Sequence, residues 1–482
     1  MGTRSGRQRA RHVAVLVVGG LLAVVATGGC GARWDDEQLA EVRARATRSA
    51  PSGPNERGTS GSSSDVAAGS PTDPGLGTGG SAGTTGGAGT GGTGPGSTIG
   101  GGGDGGGPSG PLPCSAPSDE VGVTDREITV GAISSLSGPV PGLGSAAAAA
   151  VRAYVGYRNA TGGVCGRKVV LREADDGTDI SRYRTTLQDL ATKVLGIAGG
   201  FAVGDIGSES IIAAHSLPVV NSPTGRTGEL PTVFDINPDF PEPDPVIGKY
   251  QHLYDLGART VSMSYIAVDQ SRIEANIQRG LMEAAGLEVV HVNELPLSTL
   301  SYDSPARAAA NSGADYLWVT ADTSGQAAMA RSVRDTGHQW LIKEFSYTSY
   351  GTSFISQAGS AAEGVTSWLR SLPTEEASSN PAMATFVEWM NRVSPGSPMD
   401  LFSIDSYVAT KAFLDTLEKI PGPITREGLV EQLAQLHDYD AEGMYAPIDL
   451  GRDLSKGCFM AMIVRNGAWE RYVPSGSGNY LC

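Results

Sequence analysis

The stretch ITVGAISSLSGPVPGLGSAAAAAV, residues Ile128 to Val151, predicts a β-strand, then a Ser/Gly/Pro loop, then an Ala-rich helix. The loop is a candidate phosphate cradle, nucleophile elbow or wall of a ligand pocket. It lacks the lysine and following hydroxyl residue of a P-loop, the spacing of GxGxxG and the GxSxG frame of an elbow. Since serine hydroxyls and free amides at the carboxyl end of a strand suit ligand binding, the pocket wall is favoured.

Residues 1–29 have the pattern of an export signal. Four arginines precede an apolar run, Val13 to Ala26, that is too short to span a bilayer and stay there. The run is followed by Thr27-Gly28-Gly29-Cys30, which resembles the lipobox of bacterial lipoproteins, so Cys30 is expected to carry a lipid. An ordinary secretory peptide is the alternative.

The net negative charge of the chain limits the classes of partner that it can bind. Removal of residues 1–29 takes away four arginines and no acid, so the formal charge of −15 becomes −19. Nucleic acids and anionic membranes repel such a surface, so neither is expected as a partner, and membrane contact is expected through the lipid alone.

The composition divides the chain into an anchor, a linker and a folded part. After the lipidated N-terminus, 30–50, residues 51–113 consist almost entirely of Gly, Ser, Thr, Pro and Ala. Such a segment cannot bury enough apolar surface to fold, so we expect a flexible tether with a reach of about 45 Å. Residues 114–482 are expected to fold.

Cysteine placement favours two disulfides in the folded part. Cys114 and Cys165 each precede a predicted strand, and Cys458 and Cys482 bracket a predicted hairpin. These two disulfides together are one of the three possible connectivities of four cysteines, and this connectivity is favoured. No cysteine or histidine spacing fits a metal site, so no metal or cofactor is expected.

Alternating strand and helix signals begin near Val121 and predict parallel sheets covered by helices. The predicted strands are EITVGAI, KVVLREAD, LPVVN, TVSMSYIAV, LEVVHVNEL, DYLWVTA and WLIKEFS. Four prolines in FDINPDFPEPDPVIG, 234–248, interrupt the alternation and indicate a boundary between two lobes. After Pro373 the pattern becomes mostly helical, and a hairpin closes the chain.

Several motifs in this order resemble the substrate-binding lipoproteins of branched-chain amino acid ABC transporters. They are EITVGAISSLSGPVPGLG, YRNATGGVCGRKVVLREADDGTD, LPVVNSPTGRTGEL, TVFDINPD, SGADYLWV, SVRDTG, SAAEGVTSW and FSIDSYVATKAF. The resemblance implies a type I periplasmic-binding fold: two Rossmann-like lobes with parallel central sheets joined by a hinge. It places lobe 1 at about 121–240 and 372–442, and lobe 2 at about 247–371 and 443–482. A monomer that binds a small molecule and serves an ABC permease is expected.

The resemblance also implies a set of ligand-binding residues. On the first lobe they are Ser137, Leu143, Val203, Gly204, Asp205, Thr224, Gly225 and Arg226, and on the second lobe Gln270, Asp322, Thr323 and Tyr347. The serine cluster and the acid that bind an α-amino acid in the family are missing, so a small aliphatic amino acid is disfavoured. Arg226 suits a carboxylate and Tyr347 an aromatic ring, which favours an organic or aromatic acid. Alternatively, Arg226 pairs with Asp205 or Glu229 and only supports its loop.

Two other functions compete with delivery to a permease. A ligand-sensing lipoprotein that reports to a receptor or kinase would use the same cleft. An envelope hydrolase would need a serine, a histidine and an acid to converge there, and no motif supports that arrangement. We therefore expect a protein without catalytic residues, held outside the cytoplasm on the cell membrane by its lipid.

Overall fold

The computed structural model describes residues 113–138, 142–222, 230–237, 248–296, 299–474 and 480–481, without the side chains of residues 269 and 270. The predicted export signal, Cys30, nearly all of the predicted linker and Cys482 lie outside these residues. Within the described part, no helix is long and apolar enough to cross a membrane.

The first sheet is parallel and has the strand order β2-β1-β3-β4-β5. Its strands are β1 (Glu127–Ser134), β2 (Lys168–Asp175), β3 (Ile197–Ala198), β4 (Val219–Asn221) and β5 (Val233–Asp235). Strand β1 is buried from Val130 to Ser134 because helices cover both faces of the sheet. The covering helices that follow these strands are α1 (Ser145–Ala160), α2 (Ile180–Ala191) and α3 (Glu209–Ala214).

Helix α1 begins where only glycine fits. A Cβ atom on Gly144 would lie 2.6 Å from the Phe201 carbonyl oxygen and 2.7 Å from the Ser135 nitrogen. The Gly144 N–H donates to the Ser135 carbonyl at 2.8 Å. The close approach places the start of α1 directly against the carboxyl ends of β1 and β3.

The second sheet combines five parallel strands with an antiparallel hairpin, in the order β14-β13-β10-β9-β8-β6-β7. The parallel strands are β6 (Thr260–Ile266), β7 (Glu288–Leu295), β8 (Tyr316–Thr320), β9 (Ile342–Phe345) and β10 (Val365–Leu369). A separate small pair is formed by β11 (Ile448–Asp449) and β12 (Leu454–Ser455), and the hairpin by β13 (Met460–Arg465) and β14 (Ala468–Val473). The helices of this part are α4 (Gly248–Asp255), α5 (Asp269–Ala284), α6 (Asp303–Asn311), α7 (Thr323–Thr336) and α8 (Thr352–Ala358).

The chain returns to the first sheet after β10, through α9 (Pro381–Val393), α10 (Leu401–Leu417) and α11 (Arg426–Leu433). The hydroxyl of Thr410 in α10 donates to the Ala198 carbonyl of β3 at 3.2 Å. The rings of Tyr407 in α10 and Tyr154 in α1 pack edge to face at 4.9 Å. Since β13 then joins the second sheet, the polypeptide passes between the two sheets three times. The predicted α/β class with parallel-dominated sheets is confirmed.

A disulfide joins Cys114 to Cys165, with the two Cα atoms 5.7 Å apart. The buried Arg167 guanidinium donates to the Cys114 carbonyl at 2.9 Å and to the Thr124 carbonyl at 2.6 Å. Together these contacts hold the first described residues against the start of β2. Cys458 is disulfide-bonded as well, while its expected partner, Cys482, lies outside the described residues.

Candidate ligand-binding site

A cavity of about 540 Å³ lies at the carboxyl ends of the parallel strands of the second sheet. Ile266 ends β6, Thr320 ends β8 and Ser346 follows β9, while the starts of α5 and α7 complete the wall. Ligands of open α/β sheets bind at this end of the strands, in pockets of this size. The lining residues are Ile266, Val268, Ser271, Thr299, Leu300, Tyr302, Thr320, Ala321, Asp322, Ser324, Gly325, Ala328, Ser346, Tyr347 and Thr348.

Asp322 caps the helix that opens onto this cavity. Its carboxylate accepts the backbone N–H groups of Ser324 at 3.1 Å and Gly325 at 3.4 Å in the first turn of α7. Such a cap satisfies amides that the helix leaves unpaired and offsets the partial positive charge of the helix start. The carboxylate of Asp322 is therefore engaged in folding α7, even though its side chain is exposed.

The side chain of Gln326 holds together several residues that line the cavity. It is fully buried, and its side-chain N–H₂ donates to the Ala321 carbonyl at 2.9 Å, to the Ser346 hydroxyl at 3.0 Å and to the Thr348 hydroxyl. Thr348 in turn donates to the Ala321 carbonyl at 2.7 Å. This network ties the end of β8 to the segment after β9. The side-chain oxygen of Gln326 has no hydrogen-bond partner among the described residues.

Two tyrosines supply ring surface and hydroxyl groups to the cavity. The pKa of Tyr302 is raised, mainly by burial and in addition by the negative charge of the nearby Asp322. Burial, followed by the negative charges of Glu274 and Asp405, raises the pKa of Tyr347, although 36% of this residue is exposed. Both phenols are therefore protonated at neutral pH and can donate as well as accept hydrogen bonds.

On the first sheet, serines hold the loop after β1 against the segment after β3. The Ser134 hydroxyl accepts the Phe201 N–H at 3.3 Å, and the Ser135 hydroxyl accepts the Val203 N–H at 3.2 Å. Both serines are buried. These two bonds fix the loop at the carboxyl end of β1.

Ser137, the next serine of this loop, is bound by Asp175. Its hydroxyl donates to the Asp175 carboxylate at 2.5 Å. Burial alone would raise the pKa of Asp175, but this bond and backbone N–H donors from Gly177, Leu136 and Ser137 outweigh burial and lower the pKa. The Ser137 hydroxyl is already engaged in the fold.

The predicted residues after β3 pack against the end of β2. The buried Asp176 carboxylate accepts the Gly204 N–H at 3.0 Å, and Asp205 is only 2% exposed. A Cβ atom on Gly204 would lie 2.7 Å from the Asp176 carboxylate, so a larger residue would clash at this position. Val203 beside them is half-buried, as is Leu143 before α1.

Three of the four residues predicted on the second lobe lie at or beside the cavity. Asp322 and Tyr347 line the cavity, and the Thr323 hydroxyl lies beside it, donating to the Thr348 carbonyl at 2.8 Å. Gln270 is in the first turn of α5, but its side chain is not described. Thr224, Gly225 and Arg226 lie outside the described residues.

Sequence reasoning missed most of the cavity wall. Ile266 and Val268 stand at the end of a predicted strand, so the rule that ligands bind at strand ends could have found them. Leu300 lies in a loop with no motif, and Gln326 in a helix where nothing distinguishes it from a surface residue. Only the fold reveals their positions.

The protein has two sheets of mainly parallel strands, and the chain passes between them three times. Together with a cavity at the carboxyl ends of the strands, this is the architecture of a two-lobed solute-binding protein. The chain belongs to the periplasmic binding protein family, whose model matches residues 127–464. Proteins of this family are extracytoplasmic and bind solutes without catalysing reactions.

Solved structures with this fold come from several bacteria. A fatty acid ABC transporter substrate-binding protein from Thermomonospora curvata is 20% identical, with a TM-score of 0.59 over 74% of this chain and 93% of that one. A substrate-binding periplasmic protein from Ralstonia solanacearum is 20% identical, with a TM-score of 0.59 over 72% and 100%. A leucine-binding protein from Thermotoga maritima is 19% identical, with a TM-score of 0.56 over 72% and 98%. No curated protein is significantly similar in sequence.

Proposed function

We propose that this chain is a lipoprotein that captures a small organic acid between two lobes and delivers it to an ABC permease. The observation that carries the proposal is the cavity at the carboxyl ends of β6, β8 and β9. A ligand that contacts both lobes stabilises their closed arrangement by its differential contact energy, which gives the permease a signal that the solute is bound. In this proposal the lobes have the boundaries expected from sequence, 121–240 with 372–442 and 247–371 with 443–482.

The ligand class rests on the chemistry of the lining and on Arg226. The cavity offers rings and aliphatic side chains with few charges, and we assign the ligand carboxylate to Arg226 because a planar guanidinium suits a carboxylate. An organic or aromatic acid fits both features. The binding of fatty acids by the Thermomonospora curvata protein is compatible with an acid of this kind.

A thermal-shift screen of the full chain tests the function. The panel contains amino acids, fatty acids, aromatic acids, dicarboxylates and polyols. A true ligand at one hundred times its Kd should stabilise the protein by about 2.7 kcal/mol. If no solute raises the Tm and no permease-dependent uptake is lost on gene deletion, the proposed function is wrong.

Arg226 is tested with the acid that the screen identifies. Arg226→Ala should weaken binding at least tenfold, because the carboxylate loses its charged partner. The matched control is Arg184→Ala, which removes an exposed arginine from α2 in the same lobe and should leave the affinity unchanged. Unchanged affinity in Arg226→Ala would mean that this arginine supports its loop instead.

The lipid anchor is tested through Cys30. Cys30→Ala removes the acylated thiol, so the protein should move from the membrane fraction into the soluble extracytoplasmic fraction. Its affinity for the acid should not change. Retention of Cys30→Ala in the membrane fraction would exclude a lipid on this cysteine as the anchor.

A further inference from the structure

The helix cap of α7 leaves one oxygen of the Asp322 carboxylate unused. The two backbone N–H groups that Asp322 accepts, from Ser324 and Gly325, both bond to its Oδ2 atom. An ionised carboxylate can accept hydrogen bonds at both of its oxygens. Asp322 is exposed and lines the cavity, and its Oδ1 atom has no hydrogen-bond or ion-pair partner among the described residues. The cavity wall therefore carries a carboxylate oxygen that can accept from a ligand.

Tyr302 brings an unused hydroxyl to the same wall. The residue is 8% exposed and lines the cavity, and its hydroxyl makes no hydrogen bond to any other described residue. Its raised pKa keeps the phenol protonated at neutral pH. Polar groups of such buried residues are nearly always hydrogen-bonded to protein or water. The Tyr302 hydroxyl is thus available to a group that enters the cavity.

Gly325 shows that these two oxygens face the same space. A Cβ atom on Gly325 would lie 2.6 Å from the Tyr302 hydroxyl and 2.8 Å from Asp322 Oδ1. Any side chain at this position would crowd both oxygens, and glycine leaves them open. Because all three residues line the cavity, one ligand group beside Gly325 can reach both oxygens.

The two oxygens together select a ligand group that carries a hydrogen-bond donor. A carboxylate oxygen only accepts, whereas a phenol both donates and accepts. A ligand hydroxyl can donate to Asp322 and accept from Tyr302, and a protonated amine can donate to both. A hydrocarbon surface would displace water from the carboxylate without replacing its hydrogen bonds, which is costly in a desolvated site. The described lining residues include no lysine, arginine or histidine that could satisfy the carboxylate instead.

We propose that Asp322 and Tyr302 form a donor-selecting subsite, which binds an amino or hydroxyl group of the ligand. This inference rests on the proposed function, because it assumes that the cavity is part of a solute site. It narrows the ligand from organic acids in general to acids that also carry an N–H or O–H donor. Amines and hydroxyls share this chemistry, so the probes below include both.

Two matched series of probes test the need for a donor. Calorimetry on the full chain compares octanoate with its 2-hydroxy, 8-hydroxy, 2-amino and 8-amino derivatives, and 4-phenylbutanoate with its 2-hydroxy and 2-amino derivatives. In the series that binds more tightly, at least one derivative should bind at least tenfold more tightly than the plain acid. A plain acid that binds as tightly as every derivative of that series would overturn the proposal.

Two conservative variants test the residues with the preferred acid, which is the derivative that binds most tightly. Asparagine caps helices as well as aspartate does, so in Asp322→Asn the side-chain oxygen keeps the cap and an N–H₂ group replaces the acceptor Oδ1. Tyr302→Phe removes only the hydroxyl, and because this hydroxyl has no partner among the described residues, the Tm without ligand should not fall. Each variant should weaken binding of the preferred acid at least fivefold and leave the affinity for the plain acid unchanged.

The matched controls are Asp335→Asn and Tyr254→Phe. Asp335 is exposed near the other end of α7, and Tyr254 lies in α4, which precedes the start of β6. Both controls should bind the preferred acid with wild-type affinity. Wild-type affinity in Asp322→Asn and Tyr302→Phe, or an equal loss for the plain acid and its derivative, would overturn the subsite.

The outcomes separate this inference from the proposed function. If none of these probes binds, the tightest solute of the thermal-shift screen decides. A fatty acid or another solute without an N–H or O–H donor would overturn the subsite and leave the proposed function standing. An amino acid or a polyol would support the subsite if both variants weaken its binding, and would overturn it if they do not. If no solute binds at all, the proposed function itself fails.

Discussion

Asp405 is a carboxyl group buried in a position that disfavours its charge. It lies in α10, is 4% exposed, and accepts a hydrogen bond from the Tyr445 hydroxyl at 2.9 Å. Burial raises its pKa to about 7, while the Tyr445 bond and Arg370 oppose the rise and Asp400 adds to it. The charge of Asp405 also acts on Tyr347 at the cavity. Ionisation of Asp405 therefore affects both stability and the surroundings of the site.

Asp405→Asn should stabilise the protein at high pH. The folded-state pKa lies above the value of 3.8 for an unperturbed carboxyl, so the folded state holds the proton more tightly than the unfolded state. The contribution of Asp405 to stability is thus greatest below about pH 4 and is lost as pH rises towards 7. Asparagine avoids this loss, which is worth up to about 4 kcal/mol.

The measurement is urea unfolding of wild type and variant between pH 5 and 8. The gap between them should widen as pH rises. Asp335→Asn, at an exposed carboxylate, is the control and should follow the wild-type pH profile. Parallel curves for wild type and Asp405→Asn would contradict the raised pKa.

Gln326 is a positioning residue of the cavity, and its replacement should cost affinity as well as stability. Gln326→Leu removes three donated hydrogen bonds and leaves the Ala321 carbonyl and the hydroxyls of Ser346 and Thr348 without their shared donor. We expect a loss of about 1–3 kcal/mol in unfolding free energy. Since the ends of β8 and β9 then separate, the Kd for the acid should rise at least threefold.

The control for Gln326 is Gln357→Leu. The Gln357 side chain is exposed and donates only to the Ser353 hydroxyl, at 3.0 Å. Calorimetry should show the same Kd for Gln357→Leu and wild type. A Gln326→Leu variant that loses stability but binds with wild-type affinity would show that the residue supports the core and not the site.

At the scale of elements, sequence patterns predicted most strands of both sheets, including the short β4, and missed others, among them β3 and β10. β1, β2, β6 and β7 have seven or eight residues each, enough for their β-branched and alternating pattern to be recognised. β3 has two residues and carries no period. β10 was missed because Thr366 and Ser367 are polar, yet both are buried, with hydroxyls that donate to the Lys343 and Ser346 carbonyls.

The start of α1 gives a test at this scale with a matched pair of glycines. Gly144→Ala places a methyl group 2.6 Å from the Phe201 carbonyl, so we expect destabilisation by about 1–3 kcal/mol. Gly280→Ala, inside α5 with no atom within 4 Å of the new methyl group, should instead stabilise by about 0.5–1 kcal/mol. Urea unfolding of both variants measures the difference. A Gly144→Ala variant as stable as wild type would show that the loop after β1 adapts to the added methyl group.

At the scale of the whole molecule, helix α4 follows the passage of the chain from the first sheet to the second, and α4 is fixed to the second sheet. Lys249 in α4 forms an ion pair with Glu344 of β9 at 2.8 Å, both side chains are less than 10% exposed, and the Tyr316 hydroxyl donates to Glu344 at 2.6 Å. Separating α4 from this sheet would leave an uncompensated buried charge, which is costly. Sequence could predict where the cavity lies, since strand ends define it. It could not predict the composition of the lining, part of which comes from loops.

If the lobes move as rigid bodies, ligand binding should shorten the distance between them. Labels at Arg184→Cys in α2 and Arg307→Cys in α6, in a Cys30→Ala background, place one dye on each sheet's helices at exposed positions. Single-molecule energy transfer should show a population with a shorter distance that grows with the concentration of the preferred acid, because only the closed arrangement contacts both ends of it. A solute of the screen that does not raise the Tm is the control and should leave the distribution unchanged. Leu300→Ala should need a higher concentration of acid to reach the same final distribution, because this leucine contributes to affinity and not to the closed geometry. Heat of binding without any change in the distribution would mean that the acid occupies one lobe alone, and capture between two lobes would then be wrong.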